Sequence, residues 1–113
     1  MEQEITVGEL ERKLKEFVPQ RDAVPLCLLD IREPWEAEVC VLPGSRLIPM
    51  SDLPSRAHLE LDRNAHIVVY CHHGNRSLPV ALWLREQGFE KAQSLAGGIE
   101  AWARTIDLSM DQY

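Results

Sequence analysis

The stretch HIVVYCHHGNRSLPVALWLREQG, residues 66–88, decides the fold. HIVVYC, residues 66–71, is rich in β-branched and aromatic residues and reads as a buried strand. SLPVALWLREQG, residues 77–88, reads as a helix with Ser77 as N-cap, Pro79 in the first turn and Gly88 as the stop. The strand therefore ends on Cys71 and the helix begins six residues later, so the backbone between them must curl. Gly74 and Asn75 are residue types that tolerate the dihedrals of such a curl. A curl of this kind turns N–H groups inward beside the positive end of the helix dipole, a nest that favours negative charge. Cys71 is expected at its rim, where the same field favours the thiolate over the thiol.

Outward from this unit, strand and helix patterns alternate. Thr6 and Glu9 form a capping-box pattern for a helix over VGELERKLKEFV, residues 7–18, ended by Pro19; its mixed charges read as a solvated face. PLCLLDI, residues 25–31, is a short apolar run ended by a carboxylate, as in a strand buried on both faces. Residues 33–39 suit a short helix with Pro34 in its first turn. A Pro-Gly turn, a brief strand at Leu47 and Ile48, and a helix start near Ser51 follow. After the central unit come a last strand over Ala92 to Leu95, a Gly97-Gly98 turn and a short helix carrying Ile99 and Trp102. The alternation predicts an α/β domain with a mainly parallel, about five-stranded sheet and helices on both faces. In such folds ligands sit beyond the carboxyl ends of the strands, where Cys71 falls.

Bulk properties narrow the function. With 113 residues and no linker, repeat or low-complexity tract, the chain reads as a single domain over residues 1–113, its core roughly 18–106. The formal net charge of −6 opposes nucleic acid and anionic membranes, and no apolar run approaches a membrane span. Three cysteines with no CxxC pair suit neither a disulfide framework nor a zinc site. The N-terminus has no secretory pattern, and the expected location is cytoplasmic.

Cys71 is a nucleophile, an inert core thiol, or a metal ligand with His72 and His73; adjacent side chains on a curled loop diverge, which weighs against the metal. Cys27 and Cys40 read as small core hydrophobes, with Cys40 a weaker candidate for a resolving thiol. His58 and His66 read as surface or strand-edge residues, and Trp35, Trp83 and Trp102 as packing. Arg76 either binds an anion or closes the loop on a carboxylate such as Asp30 or Glu33. Asp30 and Arg32, at the end of a neighbouring strand, either support the loop or touch the ligand.

CHHGNRS resembles the active-site loop of the rhodanese-like sulfurtransferases, commonly C-x-x-G-x-R/T-S/A. LLDIREPWEAEVCVLPGSRLIPMSDL resembles the family's upstream D-x-R-x-x-x-E…G-H-I-P-G-A-x-x-I-P segment through Asp30, Arg32, Glu36, Pro43, Gly44, Ile48 and Pro49. SLAGGIEAWA resembles its L-x-G-G-x-x-A-W ending through Leu95, Gly97, Gly98, Ala101 and Trp102. Val41 stands where the family usually has His, and Ser45 where it usually has Ala.

The resemblance implies a three-layer α/β/α domain and persulfide chemistry, with a sulfane sulfur moved from thiosulfate or a protein persulfide through Cys71 to a thiol or cyanide. Gly74, Asn75 and the neighbouring main-chain N–H groups would cradle the anion. His72, His73 and Arg76 would draw in the donor, Ser77, Asp30 and Arg32 would support the loop, and no cofactor or metal is required. Protonated histidines in that role predict donor affinity rising as pH falls through about 6.5. Four residues separate Cys71 from Arg76, one fewer than in the C-x5-R loop of the phosphatases of this fold, which favours a single sulfur over a phosphate. The expected partners are a small anionic sulfur donor and a small-thiol or protein acceptor. The alternative is a sulfur-relay or regulatory binding module that acts through another protein.

Overall fold

A computed structural model describes residues 1–113. The chain forms β1 (Glu4–Ile5), α1 (Val7–Glu16), β2 (Leu26–Asp30), α2 (Pro34–Val39), β3 (Arg46–Leu47), a 3₁₀ turn at Met50–Asp52, α3 (Leu53–Glu60), β4 (His66–Tyr70), α4 (Ser77–Glu86), β5 (Ala92–Leu95) and α5 (Gly98–Thr105). The five strands make one sheet in the order β1-β5-β4-β2-β3, and every pairing is parallel. The expected α/β class is therefore observed, with β1 added ahead of the first helix. A two-residue strand leaves no periodicity to read, and β1 exists only through its pairing with β5.

β4 lies at the centre, and all five of its residues are buried. Its side chains alternate between two cores, as a strand's period of two requires. Ile67, Val69 and then Cys71 face one core, closed by Leu53 and Ala57 of α3 and Val80, Ala81 and Leu84 of α4. Val68 and Tyr70 face the other, closed by Leu10 of α1 and Ile99 and Trp102 of α5. The result is three layers. Ile5 and Leu10, ahead of the expected core boundary at residue 18, are themselves buried.

Several local expectations need correction. α1 ends at Glu16 because Phe17 turns extended, although the Thr6–Glu9 capping box forms as the sequence predicts. Ser77 is the first helical residue of α4 and not its cap; Arg76 holds the cap position without a side-chain capping hydrogen bond. His66 is buried at the start of β4, with Nε2 2.6 Å from Gln93 Oε1. Trp102 packs in a core as expected, and Trp35, though 58% exposed, packs edge-on against Tyr113. No helix is long and apolar enough to cross a membrane.

Candidate active site

The site is built where β4 ends. Ile31 N–H donates to Tyr70 O at 3.2 Å, so β2 stays joined to β4 up to the last strand residue and sets Asp30 and Arg32 beside the loop. The loop from Cys71 to Arg76 then folds back on the start of α5. Ile99 N–H donates to Cys71 O at 2.9 Å, and Glu100 N–H donates to His72 O at 3.0 Å. Two first-turn N–H groups of α5, which a helix cannot pair internally, are thus satisfied by the loop carbonyls.

This docking explains the paired glycines. Gly98 has φ +63°, and a Cβ there would lie 2.6 Å from Cys71 O and closer still to His72 O. Gly74, φ +98°, approaches the same turn from the other side, its would-be Cβ 3.1 Å from Gly97 N. The two motifs CHHGNRS and LAGGIEAWA are therefore two halves of one backbone contact.

Within the curl, Gly74 N–H donates to Cys71 Sγ at 3.1 Å. The Cys71 thiol in turn donates to Ser77 Oγ at 3.4 Å. That hydroxyl also has Gly74 O at 3.3 Å and the Ser94 hydroxyl of β5 at 2.7 Å. The N–H groups of His72, His73, Asn75 and Arg76 have no protein acceptor. The structure thus sets one N–H donor on the thiol, in a loop whose other four N–H groups are free of protein acceptors. Cys71 is fully buried, at the floor of the loop and not at its rim.

The charged residues divide differently from the sequence expectation. Arg76 meets neither Asp30 nor Glu33; its two terminal nitrogens donate to Glu36 at 3.0 and 2.9 Å. This pairing, with the Glu33 N–H and the Tyr113 hydroxyl, holds the Glu36 carboxyl down at about 2 against the opposing effect of burial. Arg32 is fully buried and directed wholly to protein: Asp30 at 2.9 and 2.8 Å, Glu36 O at 3.2 Å, Cys40 O at 2.7 Å and the Tyr113 hydroxyl at 2.9 Å. Arg32 and Asp30 therefore brace the segment between β2 and β3. They do not reach into the loop's cradle.

The two histidines also differ from expectation. His72 stacks between His73, at 3.9 Å between ring centroids, and Tyr113, at 3.8 Å. Burial, with the positive potential of His73 adding to it, pushes the His72 imidazole below its usual value, so it serves poorly as a cation. His73 Nδ1 lies 2.7 Å from Glu100 Oε2, and Asn75 is exposed with no side-chain partner. No three His, Cys, Asp or Glu side chains are grouped to hold a metal ion.

Cys40 packs against the core opposite the one that holds Cys71, so the two thiols face different sides of the sheet. Burial raises the Cys40 and Cys27 thiols above their ordinary value. The two departures from the family pattern are accommodated. Val41 is 43% exposed, and the Ser45 hydroxyl fills its space by meeting the Tyr70 hydroxyl at 2.8 Å. Sequence reading gave no site role to Glu36, Ser94, Glu100 or Tyr113. Glu36 was visible as the matched glutamate of the upstream segment; the others carry no local pattern.

The chain is thus a parallel α/β domain that places one buried cysteine in the loop beyond its central strand. The Rhodanese-like domain family model matches residues 6–105, and the chain belongs to that family. A curated relative from Arabidopsis thaliana, the chloroplastic Rhodanese-like/PpiC domain-containing protein 12, is 35% identical over 97% of this chain, which spans only 37% of that relative's length. A sulfurtransferase of Allochromatium vinosum is 36% identical over 74% of this chain and 77% of its own. Among solved structures, the rhodanese-like domain protein of Staphylococcus aureus superposes with a TM-score of 0.79 at 28% identity, covering 99% of both chains.

Proposed function

We propose that this protein is a sulfurtransferase that carries sulfane sulfur on Cys71. The Cys71 thiolate attacks the outer sulfur of a donor such as thiosulfate. A new S–S bond forms, the donor's S–S bond breaks, and sulfite leaves with the electron pair. A thiolate acceptor or cyanide then attacks the outer sulfur of the persulfide, and Cys71 returns as thiolate. The observation that carries this reading is the Gly74 N–H aimed at Cys71 Sγ at 3.1 Å, with four further loop N–H groups unused beside it. Donors fixed in advance stabilise the anionic sulfur without reorganising. On loss of the thiol proton the Ser77 hydroxyl can turn from Gly74 O to the sulfur, with Ser94 still beside it. The sulfurtransferase name of the Allochromatium relative supports the same reading.

The test is thiosulfate:cyanide sulfur transfer by the wild type and by Cys71→Ser. The near-isosteric change should abolish transfer and leave the fold intact; full activity in the variant would sink the assignment.

A second reading, a relay fed by a protein-borne persulfide, is favoured by the local charges. Arg76 is paired with Glu36 and Arg32 with Asp30, in a chain of net charge −6. This leaves little uncompensated positive charge beside the loop to attract a dianion. Sulfur taken up from a cysteine-desulfurase system but not from thiosulfate would establish the relay; uptake from thiosulfate alone would remove it. Residence in the cytoplasm, where thiols stay reduced, is part of the proposal, and recovery in a membrane or extracellular fraction would contradict it.

A further inference from the structure

Tyr113 lies beyond α5, in a tail whose Ile106 and Met110 pack against the second core and whose Met110 N–H donates to Asp107 O at 3.2 Å. The tail brings the Tyr113 side chain back over the carboxyl edge of the sheet. There its ring lies face to face on His72, 3.8 Å between centroids and 12° between planes, while Trp35 meets it edge-on at 5.7 Å. Its hydroxyl accepts from Arg32 at 2.9 Å and donates to Glu36 Oε1 at 2.9 Å. Glu36 in turn holds Arg76 through both carboxylate oxygens. One side chain therefore touches the residue that follows Cys71 and, through Glu36, the residue that ends the loop.

We propose that Tyr113 is a positioning residue of the sulfur-transfer site, clamping the Cys71–Arg76 loop at its start by stacking on His72 and at its end by orienting Glu36 on Arg76. This rests on the sulfurtransferase reading above. The clamp acts on the loop's shape, and so on the aim of the N–H groups that must meet the developing persulfide. It also fixes the surroundings of His72. Those surroundings are His73 and Arg76 from the loop, Glu36 from α2, Glu100 from α5, Cys40 from the segment after α2, and Asp111 and Tyr113 from the tail. Removal of the ring opens one face of the imidazole to water, and removal of the hydroxyl alone leaves that face covered.

The test compares Tyr113→Phe and Tyr113→Ala with the wild type by two readouts. One is the single-turnover rate of persulfide formation on Cys71 from thiosulfate or a cysteine-desulfurase donor; the other is the NMR titration of the His72 ring. Tyr113→Ala should slow persulfide formation about tenfold or more, as displaced reacting groups do, and move the His72 titration up toward about 6.5. Tyr113→Phe should slow the reaction less and leave the His72 titration in place. A wild-type rate in Tyr113→Ala overturns the proposal whatever His72 does. A rate loss with the His72 titration unmoved overturns the stacking half of the clamp. If the wild type takes up no sulfur from either donor, the sulfurtransferase reading fails separately, and an unmoved His72 in Tyr113→Ala then removes the clamp as well.

Discussion

Arg76 and Glu36 face each other across the candidate site, joined by two hydrogen bonds at 3.0 and 2.9 Å. Arg76 stands immediately before α4, and Glu36 lies on α2, forty positions earlier in the chain. The pair ties the end of the cysteine loop to the segment after β2. An arginine that the sequence offers as a substrate cation is, in the fold, chiefly a brace.

Glu36→Gln keeps the shape of the brace and removes its charge. Hydrogen bonds to charged groups contribute about 1.5–3 kcal/mol each, and part of that loss should appear in urea unfolding at neutral pH. Release of Arg76 should at the same time lower the KM for thiosulfate. Unchanged stability together with unchanged KM would show that the pair does neither job.

Acid should weaken the fold in two steps. Glu36 has a folded value near 2 against an ordinary 4.5, so its contribution is complete above 4.5 and is lost as pH falls toward 2. Burial lowers His66 below its ordinary 6.5, so the unfolded chain takes up that proton first and stability declines once pH drops below 6.5. Urea unfolding across this range should show both declines, and His66→Gln should reduce the upper one, leaving the share of His72, which is lowered as well. A stability curve level from pH 7 to pH 3 would contradict both assignments.

Three glycines with positive φ should respond to alanine very differently. Gly98→Ala would drive a Cβ into the Cys71 and His72 carbonyls, and Gly74→Ala would press on Gly97 N at 3.1 Å, whereas Gly44, φ +81°, has open space around it. Left-handed backbone costs an alanine about 1–2 kcal/mol, and overpacking adds roughly 1–3 kcal/mol. Denaturant unfolding should therefore rank Gly98→Ala worst and Gly44→Ala mildest. Equal losses at positions 98 and 44 would show that α5 does not dock on the loop.

Ser77→Ala removes the hydroxyl that sits 3.4 Å from Cys71 Sγ and 2.7 Å from Ser94 Oγ. Loss of one hydrogen bond of about 1 kcal/mol to the sulfur corresponds to a severalfold slower sulfur transfer. The Ser94 hydroxyl keeps no other side-chain partner there, which should add a stability loss of similar size. Unimpaired turnover would mean that Gly74 and its neighbouring N–H groups suffice.

The parts of this fold that were legible in the sequence are those in which local pattern and tertiary need agree. β4 and the body of α4 were legible because the apolar run, the loop and the helix signals are contiguous, and the place of Cys71 at the end of the strand followed from their junction. β1 was not legible, since two residues form a strand only by pairing with β5. Ser77 looked like a cap because a serine before an apolar helix commonly is one; the sulfur and Ser94 claim its hydroxyl instead. His72 and His73 looked like cations because sequence cannot show stacking or a carboxylate such as Glu100 arriving from another helix. Tyr113 had no signal at all, because its contacts with Arg32, Glu36 and His72 all come from distant parts of the chain.

On the proposed function, Cys71 carries the transferred sulfur in the loop beyond β4. Intact-protein mass spectrometry after incubation with thiosulfate or with a cysteine-desulfurase system tests it most directly. The expected result is a gain of one sulfur atom that maps to Cys71, disappears on addition of cyanide or a thiol, and is absent in Cys71→Ser. A sulfur adduct on Cys27 or Cys40 with Cys71 unmodified, or no adduct from either donor, would contradict it.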